Sequence, residues 1–408
     1  MITDPKNPHG RPPSDLPKLE PAPASRPRHR TDFEVIEIDL ANKSQRKKFI
    51  EMTEHIYEGD KNFVMPLRSH SMKFLDVGNN KSLKHFEIKA FIAVHRNKIV
   101  GRICAHIDHA YNRYHGHDET GWFGFFECVN ERKIAHGLMS DACNWLRSKG
   151  CTTVIGPMNF STNHQCGLLV ENFERPPVIE MTYNPRYYEE LLLSFGFSKA
   201  KDLFAWTIDV TASDVDKKIE RIKRVAARVK TRNNVSVRTA ELSKFENEVR
   251  TLFEIYNRSW QKNWGFVPVA EDEFSQIAAD LRPILEEKLI LFVEVNAKPV
   301  GFSVTLPDIN QALPKDGRLF PFGWLTFLLK RRSIDFARLM VLGIDPDYRK
   351  KGLETLLFLE TIEATRKLGM KGGELGWTLE DNELINNAIR QMNGKLDRKY
   401  RLFGGDLS

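Results

Sequence analysis

Two stretches of this chain carry the same order of apolar and polar positions. Ala90-Phe-Ile-Ala-Val-His-Arg-Asn-Lys-Ile-Val-Gly101 reads as a strand, a tight polar turn and a second strand, and Ile290-Leu-Phe-Val-Glu-Val-Asn-Ala-Lys-Pro-Val-Gly301 repeats that order. Downstream of each hairpin the pattern runs strand, helix and strand again, with the two helices stopping at Gly150 and Gly369. The shared order supports an internal duplication. In the second copy an apolar strand over 339–344 meets turn chemistry at Asp345-Pro346-Asp347. Leu356, Leu357, Leu359, Ile362 and Ala364 then follow at roughly helical spacing, which predicts a helix starting near Lys351 or Gly352.

Between the copies, Val215, Ile219, Ile222, Val225 and Ala226 recur at helical spacing among many Lys and Arg. The chain is therefore divided into an N-terminal copy at 31–210, a solvated helical connector at 211–233 and a C-terminal copy at 234–408. Residues 1–30 hold eight prolines, six basic and three acidic residues with almost no apolar run, which predicts a disordered tail. A length of 408 residues suits about two domains, and 41% hydrophobic with 28% charged residues describes a soluble globular protein.

The net charge of +7 is modest for this size and partly sits in the tail, so no nucleic acid partner is expected. Five cysteines, at 104, 128, 143, 151 and 166, show no Cys-x-x-Cys spacing. That predicts a reducing compartment, no structural zinc and no metal. Neither a secretory leader nor a run of about 18 apolar residues is visible, so a cytoplasmic protein is expected.

Candidate chemistry concentrates where the second copy turns from strand to helix. In Arg349-Lys350-Lys351-Gly352-Leu353-Glu354-Thr355 the first helical turn leaves N–H groups without intrahelical partners, Gly352 permits close approach to the backbone, and three cations add positive charge. This predicts a pyrophosphate cradle. The first copy offers Asn130-Glu131-Arg132-Lys133-Ile134-Ala135 instead, a shorter turn without glycine and with a carboxylate where a phosphate would approach, so its cradle is predicted lost.

The first copy has a dense polar loop after a strand, Gly156-Pro-Met-Asn159-Phe-Ser161-Thr162-Asn163-His164-Gln165-Cys166-Gly167. Asn159, Ser161, Asn163 and His164 are candidates for an acceptor wall. His164 beside Cys166 invites a nucleophile reading, but no partner carboxylate is evident. Glu180 is a further carboxylate after an apolar strand. Finally, 318–332 places Phe320, Phe322, Trp324, Phe327 and several leucines between Arg318 and Lys330-Arg331-Arg332. Too short to span a bilayer, it suits an interfacial segment, the cover of a lipid tunnel with Trp324 touching substrate, or a core helix with a charged end.

The order of strand, Arg-Lys-Lys-Gly turn, helix, strand, Asn382 and closing helix resembles the Gcn5-related N-acetyltransferase (GNAT) superfamily, whose pyrophosphate loop reads Arg/Gln-x-x-Gly-x-Gly/Ala. Glu354 departs from the last position. The resemblance implies an α/β (α+β) fold of two tandem GNAT-like domains, each a mixed central sheet flanked by helices. It also implies acyl-CoA as co-substrate, held by Leu342, Gly343, Ile344, Arg349 to Thr355 and Asn382, with a backbone N–H near Leu342 and Gly343 polarising the thioester carbonyl. Glu374, Glu380 and Asp381 are then the nearest carboxylates for a general base. Counting back from Gly394 puts Arg390 where the family's acidic tyrosine stands, so either Tyr400 is the acid or CoA leaves as a thiolate.

More specific stretches resemble a tandem group that includes bacterial ceramide synthases: Gly156-Pro-Met-Asn-Phe-Ser-Thr-Asn163, Asn263-Trp-Gly-Phe266, Leu306-Pro-Asp308, Trp377-Thr-Leu-Glu-Asp-Asn382 and Lys399-Tyr-Arg401. This implies transfer of a fatty acyl group to the amine of a sphingoid base, at the inner face of a membrane. Acetyl transfer to a small polar amine, or binding of CoA or lipid without turnover, are the alternatives.

Overall fold

The computed structural model describes residues 13, 15–20, 33–116, 119–261 and 263–408. In chain order the first half contains β1 (Phe33–Ile38), α1 (Lys43–Glu51), α2 (Thr53–Ile56), α3 (Arg68–Phe74), β2 (Phe86–His95), β3 (Lys98–Asp108), α4 (His109–His115) and β4 (Thr120–Cys128). It continues with α5 (Arg132–Ser148), β5 (Thr153–Gly156), β6 (Leu168–Glu171), α6 (Tyr188–Phe195) and β7 (Ser198–Asp209). The second half contains α7 (Ser213–Asn233), β8 (Val235–Thr239), α8 (Phe245–Ser259), α9 (Glu271–Leu281), β9 (Ile290–Val295), β10 (Lys298–Pro307) and α10 (Gly323–Arg331). It closes with β11 (Phe336–Ile344), α11 (Leu353–Lys367), β12 (Gly372–Leu379), α12 (Glu383–Gln391) and β13 (Lys395–Asp406).

The chain forms two compact units. The C-terminal unit consists of Phe204–Ala312 and Thr326–Arg398, while the N-terminal unit runs to Leu203 and takes in Leu313–Leu325 and Lys399–Ser408. Thus β7 begins in one unit and ends in the other, and β13 does so in the opposite direction. Two of the boundaries fall inside strands, one falls inside α10, and none falls in α7.

Each unit is built on the same mixed sheet. In the N-terminal unit β1, β2, β3 and β4 pair antiparallel, and β4 then pairs parallel with β5. In the C-terminal unit β8, β9, β10 and β11 pair antiparallel and β11 pairs parallel with β12. The repeated hairpins are closed by two-residue turns at positive φ, Arg96 (48°) and Asn97 (63°) in one and Asn296 (51°) and Ala297 (60°) in the other. Turns of that hand match the right-handed twist of the flanking strands. The helices stop at Gly150 and Gly369, both at positive φ.

Helix α5 seals the N-terminal core with Ile134, Leu138, Met139, Ala142 and Leu146, and α11 seals the C-terminal core with Leu353, Leu356, Leu357 and Ile362. Helix α7, expected as a solvated connector, buries Val215, Ile219 and Ala226 in that C-terminal core. Lys230 pairs with Glu360 at 2.8 Å and Arg366 with Asp216 at 2.7 Å. Its apolar stripe drives this, since a half-apolar helix gains by covering a sheet-packed neighbour.

Within the tail read as disordered, part is ordered. The Leu19 N–H donates to the Asp406 carbonyl at 2.8 Å, Arg147 donates to the Leu19 carbonyl at 2.6 Å, and the Leu19 side chain is buried in the N-terminal core. The rest of the tail lies outside the described residues. Leu19→Asp would place a carboxylate in that core and should lower stability by roughly 2–3 kcal/mol, seen as a fall in the urea midpoint. An unchanged midpoint would mean the segment detaches at no cost.

Candidate functional site

The C-terminal sheet opens where its two parallel strands part. The β11–β12 register runs from Phe336↔Gly372 to Leu339↔Leu375, whereas β11 stays paired with β10 as far as Gly301↔Ile344. Beyond Leu375 the second arm turns toward β7, since a Cβ on Gly376 would lie 3.1 Å from the Ala205 Cα. The buried Arg338 ties the fork by donating to the Gly376 carbonyl through Nε at 3.3 Å and Nη2 at 3.0 Å. Over Met340–Ile344, β12 therefore supplies no ladder partner to β11, and an extended ligand with amide groups matches such an edge. Leu342, Gly343 and Ile344 lie along it. Gly343 also serves packing, because a Cβ there would lie 2.3 Å from the Trp260 ring.

After the strand, Asp345 accepts from the Asp347 N–H at 3.0 Å, and Arg258 bridges Asp345 at 3.1 Å and Asp347 at 2.9 Å. Arg349 turns inward. Its guanidinium donates to the Ile344 carbonyl at 3.2 Å and to the Ser259 carbonyl, and burial holds its pKa below the usual value. It braces the loop. Lys350 and Lys351 are exposed, the latter over the Tyr348 ring at 4.6 Å. Gly352 stands at φ +78° with no side-chain cap on the helix that follows, so Leu353, Glu354 and Thr355 form a first turn beside two exposed cations. That arrangement attracts an anion.

The second arm is fixed by residues that local pattern did not single out. Asn386, buried on α12, donates to the Leu379 carbonyl at 2.9 Å and accepts from Thr378 Oγ1 at 2.6 Å. Trp206 Nε1 donates to Thr378 at 3.0 Å. Asn382 caps α12, accepting from the Ile385 N–H at 3.4 Å, and Asn386 lies one turn further along the same helix. That spacing was the available signal.

Glu374 and Asp381 share this unit. Glu374 is fully buried, faces Arg338 in the strand register, and lines a small apolar cavity with Thr305, Leu339 and Leu375. Asp381 is half-buried in the turn after β12. Tyr400 is fully buried on the part of β13 that belongs to the N-terminal unit, with Cβ packed on Gly167. Trp324 is half exposed on α10, and its Nε1 donates to the Pro321 carbonyl at 2.9 Å. The cluster around Asn263-Trp-Gly-Phe266 is core, with Trp264 and Phe266 buried.

The N-terminal unit has the same fork, and its own chain fills it. β4 and β5 pair only from Thr120↔Thr153 to Trp122↔Ile155. The polar loop then runs on along β4, where the Met158 N–H donates to the Phe123 carbonyl at 2.7 Å and Asn159 Oδ1 accepts from the Phe125 N–H at 2.8 Å. A Cβ on Gly124 would lie 1.9 Å from the Met158 carbonyl oxygen. At the strand end Glu127 accepts from Tyr57 at 3.0 Å and Tyr188 at 2.7 Å, with its pKa raised by burial. The helix start is occupied too, since Glu131 Oε1 accepts from the Lys133 N–H at 3.5 Å.

Ser161, Asn163 and His164 organise that loop internally. The Asn163 N–H donates to Ser161 Oγ at 3.2 Å, and Ser161 Oγ lies 3.0 Å from His164 Nδ1. His106 Nε2 donates to the Phe160 carbonyl at 2.9 Å. Burial holds both imidazoles down to a pKa of about 4, His164 further lowered by nearby His85 and His106. All five thiols are buried, and desolvation pushes Cys104 and Cys143 up to about 12 and Cys151 to about 11. Among the described residues no cluster of His, Cys, Asp and Glu could hold a metal ion.

No protein-family model matches the chain. The Escherichia coli K12 protein YghO is 32% identical over 372 residues, 89% of this chain and 93% of that protein. A protein named bacterial ceramide synthase, from Caulobacter vibrioides NA1000 / CB15N, is 30% identical over 380 residues, 91% of this chain and 98% of that protein. Among solved structures, a tandem GNAT protein from the clavulanic acid biosynthesis pathway matches with a TM-score of 0.56 at 9% identity, over 92% of this chain and 99% of that one.

The buried histidines make stability depend on pH. With folded pKa values of about 4 against the ordinary histidine value of 6.5, the unfolded chain binds more protons between those values. The contribution is complete above about pH 6.5 and is lost as pH falls toward 4. From pH 7.5 to 5.0 the two groups should together remove roughly 2–4 kcal/mol from urea-unfolding stability. His106→Gln, which keeps a donor for Phe160 and cannot titrate, should flatten that slope. An equal slope in the variant would sink the assignment.

Proposed function

Since the chain belongs to the tandem Gcn5-related N-acetyltransferase proteins that include the bacterial ceramide synthase group, we propose that it transfers an acyl group from acyl-CoA to a primary amine at the C-terminal fork. The observation that carries the reading is the contrast between the two copies. The C-terminal fork has an open strand edge, an uncapped glycine-led helix start and two exposed lysines, while the N-terminal fork is filled by Asn159 and its helix start by Glu131. One acyl-CoA per chain follows.

In this reading the N–H groups of Leu353, Glu354 and Thr355, with Lys350 and Lys351, hold the pyrophosphate, and Asn382 lies at the cap of the neighbouring helix. The edge at Leu342, Gly343 and Ile344 holds the amide-bearing arm, and an N–H near Leu342 and Gly343 donates to the thioester carbonyl. That donor strengthens as negative charge builds on the oxygen of the tetrahedral adduct. The attacking amine must be neutral. Asp381, half-buried at the end of β12, is better placed to take its proton than Glu374, which is sealed in the core. Tyr400 is fully buried, so the adduct collapses by expelling CoA as a thiolate, which takes a proton from solvent.

For the acceptor we favour a sphingoid base and for the donor a long-chain acyl-CoA. The Caulobacter relative's name and the apolar, cation-flanked segment 318–332 support this choice. The N-terminal polar loop with Asn159, Ser161, Asn163 and His164 serves as the acceptor copy's scaffold. Such substrates place the work at a membrane face, with the enzyme peripheral and cytoplasmic. Among the described residues no helix is long and apolar enough to cross a membrane.

The test supplies purified protein with palmitoyl-CoA or acetyl-CoA and with sphinganine, 3-ketosphinganine or a panel of polyamines, following free thiol and product mass. Amide product with palmitoyl-CoA and a sphingoid base is expected. Product only with acetyl-CoA and polyamines would replace the lipid reading, and thioester binding without any product would leave a non-catalytic module.

Gly352→Glu should abolish CoA binding in calorimetry. Lys350→Glu with Lys351→Glu should weaken it by at least about tenfold without unfolding the protein. Glu131→Gln should leave it unchanged, and equal effects at both loops would overturn the single-site assignment.

A further inference from the structure

We propose that the segment 318–332 is the protein's docking surface for an anionic lipid bilayer. The proposal rests on the membrane-face reading above and deepens it by naming the surface involved, argued from exposure and charge. Phe320 is 85% exposed, Phe322 76%, Trp324 50%, Leu325 46%, Leu328 51% and Leu329 73%. On α10 the last four fall at i, i+1, i+4 and i+5, one face of a helix, while Phe327 on another face is half-buried. The amphipathic order is inverted: the apolar face looks to solvent. A helix packed for its own core would turn those leucines inward, and a lid over an internal chain would cover them.

The face is held in shape. The Trp324 N–H donates to the Leu319 carbonyl at 2.7 Å, and Trp324 Nε1 to the Pro321 carbonyl at 2.9 Å. Gly323 sits so close to the Arg318 carbonyl that a Cβ would come within 1.9 Å of its oxygen. The phenylalanines therefore project from a braced turn, which limits the order lost on insertion.

Charge selects the occupant. Arg318, Lys330, Arg331 and Arg332 are exposed at the two ends of the apolar stretch, and among the described residues none has a carboxylate within ion-pair distance. The nearby Asp316 accepts from the Arg318 backbone N–H at 3.1 Å. A second copy docking on this face would bring like charges together, whereas a bilayer offers hydrocarbon for the rings and phosphate for the cations. Nine helical residues are too few to span, so α10 lies in the plane of the interface.

Co-sedimentation of the full chain with vesicles tests this. Binding to phosphatidylglycerol-containing vesicles should exceed binding to pure phosphatidylcholine and fall as salt rises. The combination Phe320→Ser, Phe322→Ser and Leu329→Ser should cut partitioning by at least about tenfold, given the apolar area removed. Arg331→Glu with Arg332→Glu should erase the preference for phosphatidylglycerol. These side chains are exposed, so the variants should keep the parent's melting temperature.

Wild-type protein that ignores vesicles, or a triple variant that binds as well, would overturn the proposal. So would concentration-dependent dimerisation that the triple variant abolishes while vesicles are ignored. Vesicle binding reads no turnover, so it can stand where the acylation assay fails, and the reverse.

Discussion

Everything at the candidate site depends on a demand of the backbone: where two parallel strands part, the exposed ladder edge must find hydrogen-bond partners. Parallel pairing of β11 with β12 ends at Leu339↔Leu375, and the edge that continues to Ile344 is the feature around which loop, helix start and second arm are arranged. Arg338 on the Gly376 carbonyl, and Asn386 with Thr378 and Trp206, keep the second arm turned away. These buried contacts hold the fork open against the gain that re-pairing the strands would bring.

The two copies answer the same demand differently. In the N-terminal unit the loop after β5 runs back along β4, Asn159 takes the Phe125 N–H, and Glu127 ends the strand among tyrosines. A fork satisfied by its own chain leaves no open ladder edge at Phe123 and Phe125. In the C-terminal unit the same place ends in Gly343, whose missing side chain is filled by Trp260, and the helix begins at a glycine without a cap. The two forks thus differ in one respect: the first is filled by its own loop, and the second keeps an unpaired strand edge beyond Leu339.

Much of the fold was legible from local pattern. The hairpins, the helix stops at Gly150 and Gly369 and the start of α11 follow from alternation, helical spacing and glycine, which act over a few residues. The tandem architecture also followed from the order of those elements. What local pattern missed was set by distant partners. Arg349, expected at the pyrophosphate cradle, also braces the Ile344 and Ser259 carbonyls, because a guanidinium on a tight turn reaches the strand end before it. The ordered piece at Leu19 was hidden in a proline-rich tail, since its stability comes from the Asp406 carbonyl and the core it enters.

By itself the sequence determined the repeated hairpins, the glycine-led basic turn and the apolar segment between cations, all of which rest on interactions between neighbours in the chain. Only the tertiary structure decided where the units end, because alternation runs unbroken through β7 and β13 while the chain passes from one unit to the other within them. It alone decided that α7 joins the C-terminal core and that Asn159 fills one fork while the other stays open. Such outcomes turn on which backbone groups, far apart in sequence, come within hydrogen-bonding reach.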